Sequence, residues 1–241
     1  MKSIPRAVRK ELKNRSNPKK REFYPKFFKA YKGGYGEGDK FLGTIVPETR
    51  KVATLFWKGI SIPDLVTILN DPYHEVRLCG LFILEKNYKK VKEENEKKKW
   101  VSVYLDNLDL VNNWDLVDLS ASHILGDYLK DKNRRILYEL AKVDNLWRNR
   151  IAMISTQAFI RNDDFTETLK LAEHFVGHPH DLMHKAVGWM LREVGSRNLM
   201  VERDFLDRFY KIMPRTMLRY AIEKFPEKLR KKYLEGKIQQ K

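Results

Sequence analysis

Trp114 and Asp118 stand four residues apart in an apolar-periodic run where a helix is expected. On a helix they share a face, one turn apart. An aromatic ring beside a carboxylate can receive a cation, because the ring face and the carboxylate both attract positive charge. The plainer alternative is a packed Trp and an ion-paired Asp. Two more apolar helices carry comparable residues. Trp147, Arg148, Asn149 and Arg150 open one of them. Lys185, Gly188 and Trp189 lie on the other, with Lys185 and Trp189 on one face. Glycine inside a helix costs about 1 kcal/mol relative to alanine, which implies a packing or access reason for Gly188. Core packing is the alternative for each Trp, and a surface charge at a helix start is the alternative for Arg150.

Other chemistries find less support. His174, His178, His180 and His184 cluster at short spacing, but Pro179 interrupts them. No acid or cysteine completes a familiar ligand pattern, so no metal site is expected. His123 shares a helical face with Leu116 and Leu119 and reads as an interhelical hydrogen-bonder. The glycine-rich run at 33–38 lacks the G-K-[ST] ending and the preceding strand of a phosphate loop. Cys79 is the only cysteine. That excludes an intrachain disulfide and favours a reducing cytosol.

The elements that must hold these residues are helices. Period-2 alternation is almost absent. Residues 1–20 read as a short basic helix or an arm. Residues 21–32 carry Phe23, Tyr24, Phe27, Phe28 and Tyr31 at helical spacing, before the glycine break. From Pro47 to about Tyr233 the chain reads as consecutive helices, with Pro47 and Pro63 in first turns. The charge run at 89–99 reads as a solvated helix end or connector. Asp71-Pro72 precedes Val76, Cys79, Gly80 and Leu84, and His178-Pro179 precedes Met183, Ala186, Val187 and Leu191 at matching offsets. Asp144-Asn145 precedes Asn149, Ala152, Met153 and Gln157 in the same frame. The spacings fit a helical-hairpin repeat of the HEAT kind. The expectation is an all-α, curved solenoid of antiparallel helical repeats: a single domain over 21–241 after the N-terminal 1–20.

Charge is placed at the ends. Residues 1–32 hold twelve Lys/Arg against two acids, residues 214–241 hold nine against three, and the 27 of each sign between them cancel. Such ends suit a polyanion, usually nucleic acid, or serve as solubilising tails. No apolar run reaches the roughly 20 residues of a membrane span, and the N-terminus lacks the apolar stretch of a secretory signal.

Several stretches together resemble one family, the HEAT-like-repeat DNA alkylation repair glycosylases of the AlkD type. They are Tyr-Gly-Glu-Gly-Asp-Lys-Phe-Leu-Gly at 35–43 with Pro47 and Arg50, Asn-Asn-Trp-Asp-Leu-Val-Asp at 112–118, Leu-Gly-Asp-Tyr-Leu at 125–129, Leu-Trp-Arg-Asn-Arg-Ile-Ala at 146–152, His-Lys-Ala-Val-Gly-Trp-Met-Leu-Arg-Glu at 184–193, and Pro-Arg-Thr-Met-Leu-Arg-Tyr-Ala-Ile-Glu at 214–223. They keep the family's order and cover roughly residues 20–235.

The resemblance implies hydrolysis of the N-glycosidic bond of cationic N3- and N7-alkylpurines, such as 3-methyladenine and 7-methylguanine, in duplex DNA. That reaction opens base excision repair. By position, the family's catalytic aspartate falls on Asp118, its lesion-facing tryptophans on Trp114 and Trp189, and its phosphate-contacting arginine on Arg150. An N-terminal aromatic of the same cleft falls on Phe27. Arg50, Arg148 and Lys185 lie in the same matching stretches and are expected to contact DNA. No cofactor and no metal are implied. A monomer is expected, cytoplasmic and associated with the nucleoid. The main alternative is a non-catalytic HEAT-like-repeat protein that binds damaged or branched DNA.

Overall fold

The computed structural model describes residues 3–238. Among them all regular elements are helical, apart from an isolated bridge between Lys40 and Tyr73. The all-α class expected from the sequence is what forms. No helix among the described residues is long and apolar enough to cross a membrane. The chain divides into two compact units, the first ending at Ser120 and the second beginning at Ala121.

The first unit contains α1 (Ile4–Asn14), α2 (Pro18–Phe27), α3 (Val46–Phe56), α4 (Ile62–Leu69), α5 (His74–Lys90), α6 (Glu94–Asp106) and α7 (Trp114–Asp118). Helix α5 is its axis and packs against α1, α3, α4, α6 and α7. It is buried on every side from His74 to Glu85, as expected for a helix enclosed by neighbours rather than lying on a surface. Cys79 lies inside it, and burial pushes its thiol pKa up. Helix α1 buries Val8 and Leu12, while Arg6, Arg9, Lys10 and Lys13 stay exposed. Pro47 and Pro63 sit in the first turns of α3 and α4. The charge run at 89–99 covers the end of α5 and the start of α6.

Helix α2 differs from the expected 21–32. It starts at Pro18, because the Asn17 side chain caps the Lys20 N–H. It ends at Phe27, and Lys29 turns into the left-handed region at φ 48°. Tyr31 therefore lies beyond the helix. The segment after the glycines is pinned from α5. The N–H groups of Leu42, Gly43 and Thr44 donate to the buried Glu75 carboxylate, Gly43 at 2.7 Å. Gly43 adopts φ +86°, and a Cβ there would run into the Asn17 carbonyl and the Arg21 backbone. Only glycine meets both demands.

The second unit contains α8 (Arg135–Lys142), α9 (Leu146–Ser155), α10 (Gln157–Ile160), α11 (Thr166–His174), α12 (Asp181–Arg197), α13 (Leu199–Phe209), α14 (Arg215–Ala221) and α15 (Glu227–Leu234). Helix α12 is the axis here and packs against α9, α10, α11, α13 and α14. The Asn145, His180 and Asn198 side chains cap α9, α12 and α13.

The sequence repeat maps onto these axes. Its three copies fall on α5, on α9 running into α10, and on α12. Val76, Cys79, Gly80 and Leu84 are buried, as are Met183, Ala186, Val187 and Leu191. In the weaker copy Asn149, Ala152 and Met153 are buried, and Gln157 opens α10.

Candidate functional site

Helix α7 is only five residues long and is fixed largely from outside. Asn113 precedes it in extended conformation and accepts the Trp114 N–H on its side-chain oxygen at 2.9 Å. Asp115, Leu116 and Val117 are buried, whereas Trp114 and Asp118 are partly exposed. The i, i+4 pair read from the sequence is therefore the outward face of α7.

Beneath it lies a buried charged network that the sequence reading missed. His74, at the start of α5, places Nε2 2.8 Å from Asp115 and Nδ1 3.1 Å from Asp39. Arg77, one turn on, donates to Asp39 at 2.6 Å, to the Asn112 side-chain oxygen at 3.0 Å and to the Asp71 carbonyl at 3.0 Å. Burial alone would lower the His74 pKa. The Asp115 and Asp39 carboxylates outweigh it and raise the pKa to about 9. Burial alone would raise the Asp39 pKa, but His74 and Arg77 hold it below the usual carboxylate range. At neutral pH His74 is thus an imidazolium donating to both carboxylates. Residues 112, 113 and 115 all bond to this network, so the entry to α7 has a set position. The available signal was His, Glu and Arg on the first turn of an otherwise apolar helix, since buried charges require partners.

Aromatic rings continue the support. Phe28 stacks on Trp114 with centroids 5.5 Å apart, and on Phe41 at 5.3 Å. Its ring is also 4.7 Å from that of His74. Phe27 meets Trp114 edge-on at 5.7 Å and is 46% exposed. The first unit therefore brings Phe27, Trp114 and Asp118 together on one surface. Arg50, on α3, lays its guanidinium 4.0 Å over the Phe82 ring.

The second unit holds the other expected residues. Arg150 is 4% exposed and donates to the Leu182 carbonyl, which ties α9 to α12. That burial replaces the alternative of a surface charge at the helix start. Arg148 is partly exposed in the first turn of α9, its N–H capped by Asn145. Lys185 pairs with Asp181 at 2.6 Å, and the partly exposed Trp189 donates its indole N–H to Glu193. Three of the histidines bond along their own segment: His180 Nδ1 accepts the Leu182 N–H, His178 Nδ1 accepts the His180 N–H, and His184 donates to the His178 carbonyl, while His174 donates to the Ala141 carbonyl at 3.2 Å.

Gly188 has a packing reason. A Cβ there would strike the Met217 carbonyl and the Tyr220 side chain on α14. Gly188→Ala should therefore separate α12 from α14 and cost about 1–3 kcal/mol, although alanine favours helix. A urea midpoint equal to or above wild type would contradict this.

Against known families, a model described as DNA alkylation repair enzyme matches residues 8–225. The chain belongs to this family. Membership gives it a role in DNA alkylation repair. The match covers all the residues just described, from Phe27 to Trp189. A solved structure, "Predicted DNA alkylation repair enzyme from Enterococcus faecalis", superposes with a TM-score of 0.66 at 14% identity, over 88% of this chain and 98% of that one. At that identity the likeness concerns the fold. No curated protein matches this member of the family.

Proposed function

We propose that this family member is a monofunctional DNA glycosylase that releases cationic N3- and N7-alkylpurines from duplex DNA. The observation that carries the reading is Trp114 and Asp118, both partly exposed, one turn apart on a helix held rigidly from below. Alkylation leaves positive charge on the purine, so the base departs neutral with the electron pair of the broken C1′–N bond. No general acid is needed. Positive charge passes to the sugar, an oxocarbenium-like state. The Asp118 carboxylate faces that charge and takes the proton of the water that adds to C1′. The Trp114 face lies against the cationic sugar and excludes bulk water. Nothing in this route calls on a lysine amine, a metal or a cofactor, so base release without strand cleavage is the expected product. Measuring free 7-methylguanine released from methylated duplex tests the reading.

Trp189, Arg148 and Lys185 of the second unit, with Arg50 and Phe27 of the first, are proposed contacts of the DNA; Arg150, 4% exposed against the Leu182 carbonyl, reaches a phosphate only by leaving that bond. A cytoplasmic monomer acting on the nucleoid fits this role. Arg150→Ala should weaken duplex binding and lower the salt dependence by about one counterion. It also removes the bond to Leu182, so Arg150→Lys is measured beside it. An unchanged salt slope in both variants removes Arg150 from the phosphate contacts.

A further inference from the structure

Helix α2 presents a second surface. None of its residues is buried. Tyr24 turns toward the unit, with its ring near Phe28 and Phe41. Phe23 and Phe27 turn the other way and are 48% and 46% exposed. Their rings lie 5.2 Å apart at 31°, and Phe27 continues to Trp114 at 5.7 Å. Three rings thus form a continuous row leading outward from Trp114. Cations accompany it on α2. Lys19, Lys20, Arg21 and Lys26 are exposed on the same short helix, against Glu22 alone, and the Lys20 ammonium sits 5.6 Å over the Phe23 ring.

We propose that the Phe23–Phe27 row is a stacking site for unpaired bases of DNA. Exposed rings interleaved with cations suit a strand whose bases stack while its phosphates meet the ammonium groups. Paired bases inside a duplex have both faces covered by their neighbours. The row is therefore useful only where a step is open, at a bulge, a mismatch or a destabilised lesion. The site would favour DNA already opened next to Trp114, and every base has a face, so the preference is independent of sequence. The inference rests on the proposed glycosylase reading only in taking Trp114 as the edge of the reaction site.

The test is fluorescence anisotropy of the full chain with undamaged labelled duplexes, fully paired or carrying a bulge of two adenines, at one salt concentration. Wild type should bind the bulged duplex at least about fivefold more tightly, a modest share of the stacking strength of one base. Phe23→Ala should lose that preference, Phe23→Trp should keep it, and Leu55→Ala, at an exposed apolar residue of α3, should keep it too. Circular dichroism confirms that each variant is folded. Equal affinity of wild type for both duplexes overturns the proposal, as does a preference that survives Phe23→Ala. If Phe23→Ala instead abolishes self-association without touching bulge affinity, the row is a contact between copies and the proposal fails. Release of 7-methylguanine is measured on the same samples. No release with the bulge preference intact removes the glycosylase reading and leaves the stacking site standing; normal release without the preference does the reverse.

Discussion

Asp118→Asn should reduce release of 7-methylguanine from duplex DNA by at least about 100-fold, the scale of losing one preorganised electrostatic partner of a transition state. Duplex affinity should change by no more than about twofold. The substitution keeps the size of the side chain and removes its charge. Leu116 and Val117 still anchor α7 from the inside, and Asn113 still caps it. A loss in the chemical step with binding intact therefore reports on the sugar cation and the attacking water. Equal release by both proteins would remove Asp118 from the mechanism. Release by wild type no faster than spontaneous depurination would remove the glycosylase reading altogether, and a DNA-binding protein without base release would take its place.

The second large effect concerns stability. His74→Ala should cost about 3–5 kcal/mol, because it leaves Asp39 and Asp115 buried without their shared cation. Its pH dependence has a definite sign. The folded pKa of His74 is raised from 6.5 to about 9. Its contribution is complete below 6.5 and is lost as pH rises through 9. The span corresponds to about 3 kcal/mol. Glu202, in the second unit, acts in the same direction: burial pushes its carboxyl pKa up to about 8, so its neutral form belongs to the fold. The difference between wild type and His74→Ala isolates the histidine. Urea midpoints followed by near-ultraviolet circular dichroism should converge as the buffer becomes alkaline. A constant gap across that range would mean that His74 is not charged in the folded protein.

What could be read in advance follows the distance over which each feature is specified. The Trp114–Asp118 face needs only one helical turn, and so do the prolines that open α3 and α4. The repeat was legible because the same offsets mark buried positions on α5 and α12. The support of α7 was not. Asp39, His74 and Asp115 are separated by tens of residues, and each alone looks like a surface charge. The start of α2 depends on a smaller feature: Asn17 and Pro18 form the cap, upstream of where the aromatic spacing begins. A glycine inside α12 signals a packing demand at 188, but the obstruction on α14 lies about thirty residues away. Arg150 belongs with the long-range group, since its bond to the Leu182 carbonyl joins residues 32 apart.

The first turn of α5 has a consequence for assembly. An imidazolium cannot leave water with one carboxylate in place and the other still solvated without a large desolvation penalty. The chain segment before α3, with Asp39, and the first turn of α7, with Asp115, must therefore close onto His74 in one cooperative event. Each depends on the other, although they are far apart in the chain. Local opening should follow the same rule. Amides around Leu42 and those around Val117 should exchange with deuterium as one group, so a molecule with a half-formed α7 is scarcely populated.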